Sequence, residues 1–236
     1  MSSAQPPLGT TLPPAPAPGT PRYFALLYTP RQRRPALLRL LALADEIGAG
    51  VARGLDHEVA HARLEWWRHE AARYAAGQAQ HPWLRALPDE AYGALQQDLL
   101  ELLAAATLDL ADTLQHPAAG QRLRGALFLA AAPWLGTGPL APAQRDALTQ
   151  IGAFCWRCEH AAQTSRPPAS ATAPAALPML LQQSSRAAQR AVAPLLVWAA
   201  LAARSTERAS PLHDFADNIR AWSVARRAAA GTLTSL

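Results

Sequence analysis

Apolar residues recur along most of the chain at helical spacing, and strict apolar/polar alternation is absent. Leu37, Leu38, Leu40, Leu41, Leu43 and Ile47 make one apolar face. Its helix opens at Thr29-Pro30, or at Pro35, since proline suits a first helical turn. Gly48 and Gly50 weaken its end. A second helix is predicted from after Asp56 to Ala76, with Val59, Ala60, Leu64, Trp67 and Ala71 as its buried stripe and Gly77 as C-cap. His81-Pro82 then turns the chain into Trp83 to Leu87. The pattern continues with a long helix from about Asp89 to Leu114 and a helical hairpin over Ala118 to Ala132 that Pro133 ends. Helices over Ala143 to Ala162, Met179 to Ala203 and Pro211 to Ala230 complete the series. The expected fold is one all-α bundle of about seven or eight helices over residues 22–230, with a Ser/Pro/Ala loop at 165–178. Met1 to Pro21 reads as a flexible Pro-rich tail, and 231–236 as a second tail.

Composition supports the same class. About a quarter of the 236 residues are Ala, Leu is next, and Val and Ile are scarce, which favours helix over strand. All 22 basic residues are Arg. Without lysine there is no Schiff base, no phosphate-loop lysine and no lysine general base. A net charge of +5 is compatible with phosphate ligands, nucleic acid or an anionic membrane, and names none of them. A coding bias toward Arg, Ala and Pro explains it equally well.

With two cysteines there is no disulfide framework, and the chain reads as cytoplasmic. Met1 to Pro21 lacks the basic start and apolar run of a secretory signal. Gly125 to Gln144 is interrupted by prolines, and Ala191 to Ala203 falls short of the ~20 residues a spanning helix needs. No transmembrane helix is expected. Peripheral contact stays open.

Three sets of residues have metal or redox character. His57-Glu58-Val59-Ala60-His61 is an H-E-x-x-H string, whose histidines share a helix face and whose Glu58 suits a base on zinc-bound water. Its flanks, Asp56 and Arg63, are charged, and no third ligand appears downstream, so a solvated helix face is the simpler account. Cys155-Trp156-Arg157-Cys158 is a C-x-x-C without the strand that redox motifs need and without a second pair for zinc. It reads as two small core residues. Asp45-Glu46, Asp89-Glu90 and Asp109 with Asp112 are carboxylate pairs that suit Mg²⁺, and equally suit helix surfaces and first turns.

Val59, Ala60, Arg63, Leu64, Trp66, Trp67, Arg68 and Glu70 form a string that resembles the V-A-x-x-K-L-x-W-W-R-x-E segment of the squalene/phytoene synthase family. Gly77, His81-Pro82 and Leu84 to Leu87 continue the likeness to its G-x-x-x-H-P-x-x-x-A-L segment. Upstream, Tyr23 to Pro30 and Arg33-Arg34-Pro35-Ala36-Leu37 are similar to the family's opening. Ala187 to Ala203 and Ile219 to Trp222 resemble its closing helices. The likeness is good over about residues 22–115 and looser to about 228. It implies the isoprenoid synthase fold. It also places the H-E-x-x-H string on a helix that carries no metal ligands in the family.

Family enzymes join isoprenyl diphosphates with Mg²⁺ held between two aspartate-rich motifs. Counting back from Trp66, the first motif falls on Gly48, Ala49 and Ala52, with no carboxylate. The second falls near Glu159 to Pro167, where no Asp occurs. A diphosphate carries about three negative charges that Mg²⁺ must neutralise during ionisation, and Mg²⁺ needs hard oxygen ligands. The resemblance therefore implies a degenerate branch without the prenyl-transfer chemistry. Small residues at Gly48, Ala49 and Ala52 let the facing helices approach, or leave an apolar cavity with Tyr23, Phe24 and Tyr28 in its wall and Asp45 at its rim. The latter is the expectation.

The expected function is a non-catalytic lipid-binding or assembly and scaffold protein; the family includes a mitochondrial assembly factor of respiratory complex I. The alternative is a divergent head-to-head prenyltransferase. A third reading is a zinc hydrolase through His57, Glu58 and His61. No cofactor is expected, with Mg²⁺ required only by the enzyme reading. The expected partners are a prenyl or other lipid, a protein or a membrane surface, and no nucleic acid. The expected location is cytoplasmic, with peripheral contact at the inner membrane face.

Overall fold

Local signals in the sequence set most helix ends. The Thr20 hydroxyl accepts from the Tyr23 N–H at 3.2 Å, Pro21 takes the first helical position, and α1 runs Pro21–Tyr28. A 3-10 turn, Arg31–Arg33, leads into α2, Arg34–Gly50. Asp56 accepts from the Glu58 and Val59 N–H groups and starts α3, His57–Ala75. Gly77, at φ 70°, closes α3 while the Gln78 N–H donates to the Arg73 carbonyl at 2.8 Å. Next come α4 (Pro82–Arg85), α5 (Tyr92–Asp112), α6 (Gln121–Leu135), α7 (Pro142–Thr164), α8 (Arg186–Ala202) and α9 (Leu212–Ala230). This computed structural model describes residues 13–51, 55–85, 92–112, 120–164, 184–203 and 212–233. The protein is all-α. Nine α-helices and no β-strand occur among the described residues.

One sequence expectation is decided by the structure and two need correction. Tyr23 to Tyr28 is itself helical and the chain turns at Thr29-Pro30, so of the two expected starts of α2 the structure takes the one at Pro35. The hairpin expected over Ala118 to Ala132 is one helix, α6, that passes Pro133. Pro133 sits in the last turn, where the Gly136 N–H bonds the Pro133 carbonyl and the Thr137 N–H bonds the Ala132 carbonyl, so little is lost there. Val59 is 44% exposed, outside the buried stripe of α3. Pro13 and Leu233, near the two ends of the chain, are both buried. Residues 165–178 and 1–12 lie outside the described residues.

The centre of the bundle is α8, where every residue from Val192 to Ala202 is buried. Its neighbours are α9, α1, α7 and α6. A helix apolar all round has to be a core element or a membrane span. This one explains the uncharged Ala191–Ala203 stretch, and no helix among the described residues is long and apolar enough to cross a membrane.

The backbones of α6 and α7 approach each other closely. A β-carbon at Gly152 would lie 2.5 Å from the Arg124 carbonyl oxygen and 2.9 Å from the Gly125 Cα. One at Gly125 would lie 2.9 Å from the Thr149 carbonyl oxygen. The two backbones touch because each helix places a glycine, Gly125 or Gly152, at the crossing. In an open helix position Gly→Ala stabilises by about 1 kcal/mol. Gly152→Ala is expected to destabilise by about 1–3 kcal/mol, the cost of overpacking. Urea unfolding measures it, and a stabilised variant contradicts the close crossing.

Asp98 on α5 ties α5 to α6 by accepting from Trp134 Nε1 at 2.7 Å. Burial pushes its carboxyl up to about 6; the Trp134 bond and Arg145 oppose this, and Glu101 adds to it. The folded chain therefore holds this proton more tightly than the unfolded chain, whose Asp titrates near ~3.9. The stability it contributes is complete below pH ~4 and is lost as pH rises through about 6. Asp98→Asn keeps the acceptor for Trp134. It is expected to raise stability at pH 8 by about 1 kcal/mol after discounting for solvent screening, and to change nothing near pH 4. Melting curves across that range test it; a pH-independent difference would contradict the assignment.

Candidate functional site

One face of α2 lines a groove. Leu38, Leu41, Ala42, Asp45, Glu46 and Ala49 recur every three or four residues and border a space of about 300 Å³. Trp83 of α4, Arg22 of α1, and Pro14 and Pro16 ahead of α1 complete its wall. The floor is apolar, and Arg22, Asp45 and Glu46 supply its charge.

The α3–α4 string builds that wall. Glu70 is fully buried on α3, and its Oε1 accepts from the Gln80 and His81 N–H groups at 2.6 and 2.7 Å. Its Oε2 pairs with Arg73. The turn held in this way places His81 against Trp67 (5.0 Å between rings) and Trp83 (5.2 Å). His81 Nε2 lies 3.1 Å from Glu46 Oε2. The W-W-R-x-E and H-P residues thus act together as a bracket that fixes Trp83 and Glu46 at the groove.

Beneath Arg22 lies a chain of charges and one ring. Arg22 Nη1 donates to Asp45 Oδ2 at 2.5 Å. The Arg22 and Arg124 guanidinium groups lie 5.4 and 4.9 Å from the Trp198 ring. Trp198 Nε1 donates to Glu159 Oε1 at 2.6 Å, and Arg124 Nη2 pairs with Glu159 Oε2 at 3.3 Å. Burial lowers the proton affinity of Arg124; Glu159 and Asp45 oppose that shift and Arg22 adds to it. Two cations and two anions cancel here. The cluster joins α1, α2, α6, α7 and α8.

The expected cavity residues separate. Asp45 and Ala49 border the groove. Tyr23, Phe24 and Tyr28 do not: α1 packs on α8, Phe24 is buried in the core, and Tyr23 and Tyr28 pack against it. Burial raises the Tyr28 hydroxyl. Gly48 faces α6, where a β-carbon would lie 3.1 Å from Leu123 Cδ2, so α2 and α6 meet there. Ala52 lies outside the described residues.

The remaining motifs take structural places. His57, Glu58 and His61 are exposed on α3, with the two Nε2 atoms 3.0 Å apart. Among the described residues no group of three or more His, Cys, Asp or Glu is arranged to hold a metal ion. Cys155 and Cys158 are buried; burial pushes both thiols up, Cys158 to about 11, away from reactive thiolate. Asp109 is buried and accepts from the Leu123 and Arg122 N–H groups at 2.9 and 3.3 Å, so it caps α6 from α5. Burial raises its carboxyl against those bonds. Asp89 and Glu90 lie outside the described residues.

Sequence reasoning passed over Arg22, Arg124, Glu159 and Trp198. A signal was present: Glu159 continues the buried stripe Leu148, Ile151, Cys155, and Arg124 stands four residues before buried Phe128. A charge on a core stripe calls for a partner. In comparisons with known proteins, the chain matches no family model, no curated protein and no solved structure.

Glu159→Gln keeps an acceptor for Trp198 and leaves Arg124 uncompensated. The expected cost is about 3 kcal/mol in urea unfolding. Arg124→Met combined with Glu159→Leu is expected to recover most of it. A double variant no more stable than Glu159→Gln refutes the pairing.

Proposed function

We propose that the protein is a squalene/phytoene synthase-like chain without prenyl-transfer chemistry that binds an amphiphilic ligand, a prenyl or acyl chain, in the α2 groove. The observation that carries this is the groove itself: an apolar floor of Leu38, Leu41, Ala42 and Ala49 beside a polar edge of Arg22, Asp45 and Glu46. Support for the likeness comes from the residues quoted for it. The family-like string from Val59 to Pro82 forms the bracket that holds the groove wall.

The carboxylates available along α2 favour binding over diphosphate chemistry. Asp45 is paired with Arg22, and Glu46 with His81. Ala49 stands where the likeness places an acid. A chain with an anionic head meets the Arg22 side of such a groove, while its tail covers the leucines. The scaffold form of the reading has its own observation. Gly48 lies against Leu123, so α2 and α6 meet there, which favours a protein that works through its outer surface.

Binding of a fluorescent prenyl or fatty-acyl probe to the purified chain tests the proposal. Saturable binding is expected, with a loss of roughly tenfold or more in Ala49→Trp, which fills the groove from an exposed position. No squalene or phytoene is expected from farnesyl or geranylgeranyl diphosphate with Mg²⁺. Product that scales with protein concentration reinstates the prenyltransferase. If the probe does not bind, or Ala49→Trp binds as well as the parent, the ligand reading fails and the scaffold reading replaces it.

A further inference from the structure

The outer face of α9 has no function in the packing of the bundle. Ile219 and Trp222 lie one turn apart on it and are 51% and 53% exposed, while Ala221, Val224 and Ala228 on the opposite face are buried. The exposed side is amphipathic in an unusual sense: its large apolar groups stand among cations. The Arg226 guanidinium lies 5.1 Å from the Trp222 ring. Arg220 and Arg227 are on the same helix, and Arg186 and Arg190 come from the adjoining start of α8, where Arg190 Nη2 reaches the Ala229 carbonyl at 3.3 Å. Arg186 packs beside Gly231. Together α8 and α9 carry five Arg against Asp214 and Asp217, and Asp217 is buried.

We infer that this face of α9, with the start of α8, docks on an anionic phospholipid bilayer. Arginines near a helix C-terminus offset its dipole, and that alone explains Arg190 and Arg227. It does not explain an exposed Ile219 and Trp222 beside them. Trp at the headgroup level, an aliphatic side chain inserted next to it and guanidinium groups on the lipid phosphates form an interfacial set. Each cation near an anionic surface strengthens binding roughly fivefold, and the apolar pair adds the burial that electrostatics lacks. A nucleic acid duplex satisfies the arginines and offers Ile219 nothing. The inference does not depend on what the α2 groove holds.

Flotation of the full chain with vesicles tests it, comparing phosphatidylcholine alone with phosphatidylcholine containing about 30 mol% phosphatidylglycerol. Binding to the mixed vesicles only is expected, weakening as salt is raised. Ile219→Ser with Trp222→Ser is expected to lower the affinity roughly tenfold or more. Arg226→Gln and Arg186→Gln, both at exposed positions, are expected to lower it roughly fivefold each. Melting curves confirm that each variant stays folded. Failure to bind the mixed vesicles overturns the inference. So does binding that the Ile219/Trp222 variant leaves unchanged. Binding of a duplex oligonucleotide without vesicle binding, sensitive to Arg226→Gln, assigns the face to nucleic acid instead.

Discussion

Where α6 crosses α7, the Arg124 carbonyl and the Gly152 Cα stand so close that no β-carbon fits between them. That contact decides where charge can sit along both helices. Arg124 is brought against α7 with only 11% of its side chain exposed, and a guanidinium with so little water around it calls for a carboxylate. Glu159, two turns beyond Gly152, supplies it. Trp198 then finds an acceptor in the same carboxylate, which fixes the rotation of the central helix α8. Packing of two glycines thus sets the position of a buried charge pair, and the pair sets the helix around which the bundle is built. A buried ion pair is a weak source of stability compared with an apolar pair. Its use here is registry: it distinguishes one alignment of α6, α7 and α8 from its neighbours one turn away.

The same chain of contacts reaches the groove. Arg22 shares the Trp198 ring with Arg124 and ends on Asp45. Arg22 is therefore held by the core on one side and borders the groove on the other. The groove's second charged side is held from α3, through Glu70, the His81 turn and Glu46. Two brackets, one from the core and one from the α3–α4 turn, keep polar groups at the edge of an apolar floor.

The helical class, most helix spans and two caps were legible in the sequence, because they depend on local chemistry. Asp56 and Gly77 act within a turn of where they stand. Asp45 and Ala49 were expected at a cavity from the family likeness, by counting back from Trp66, and both border the groove. Tyr23, Phe24 and Tyr28 were misplaced because their direction depends on α1 packing against α8, a contact between segments far apart in sequence. Arg124 with Glu159 belongs to the same kind. Each charge was visible on an apolar stripe, but their pairing depends on a glycine crossing that periodicity does not report. Glu70 was visible as part of a string. Its work, accepting two backbone N–H groups across a turn, is tertiary.

The arrangement also bears on what it would take to hold Mg²⁺ beside the groove. The two carboxylates of the Trp198 cluster, Asp45 and Glu159, already face guanidinium groups, so the cluster is neutral as it stands. Adding Mg²⁺ means displacing Arg22 from Asp45, and Arg124 from Glu159 inside the core, where an unpaired cation costs several kcal/mol. A single acid introduced at Gly48 fares no better, because Gly48 already lies against Leu123 and any side chain must first displace it. An acid at Ala49 points into the groove instead, beside Asp45 and Glu46, where it raises negative charge on a wall that Arg22 alone balances. Holding Mg²⁺ here therefore requires coordinated change on several helices. On the proposed reading an amphiphile needs no such change, since the apolar floor is already present.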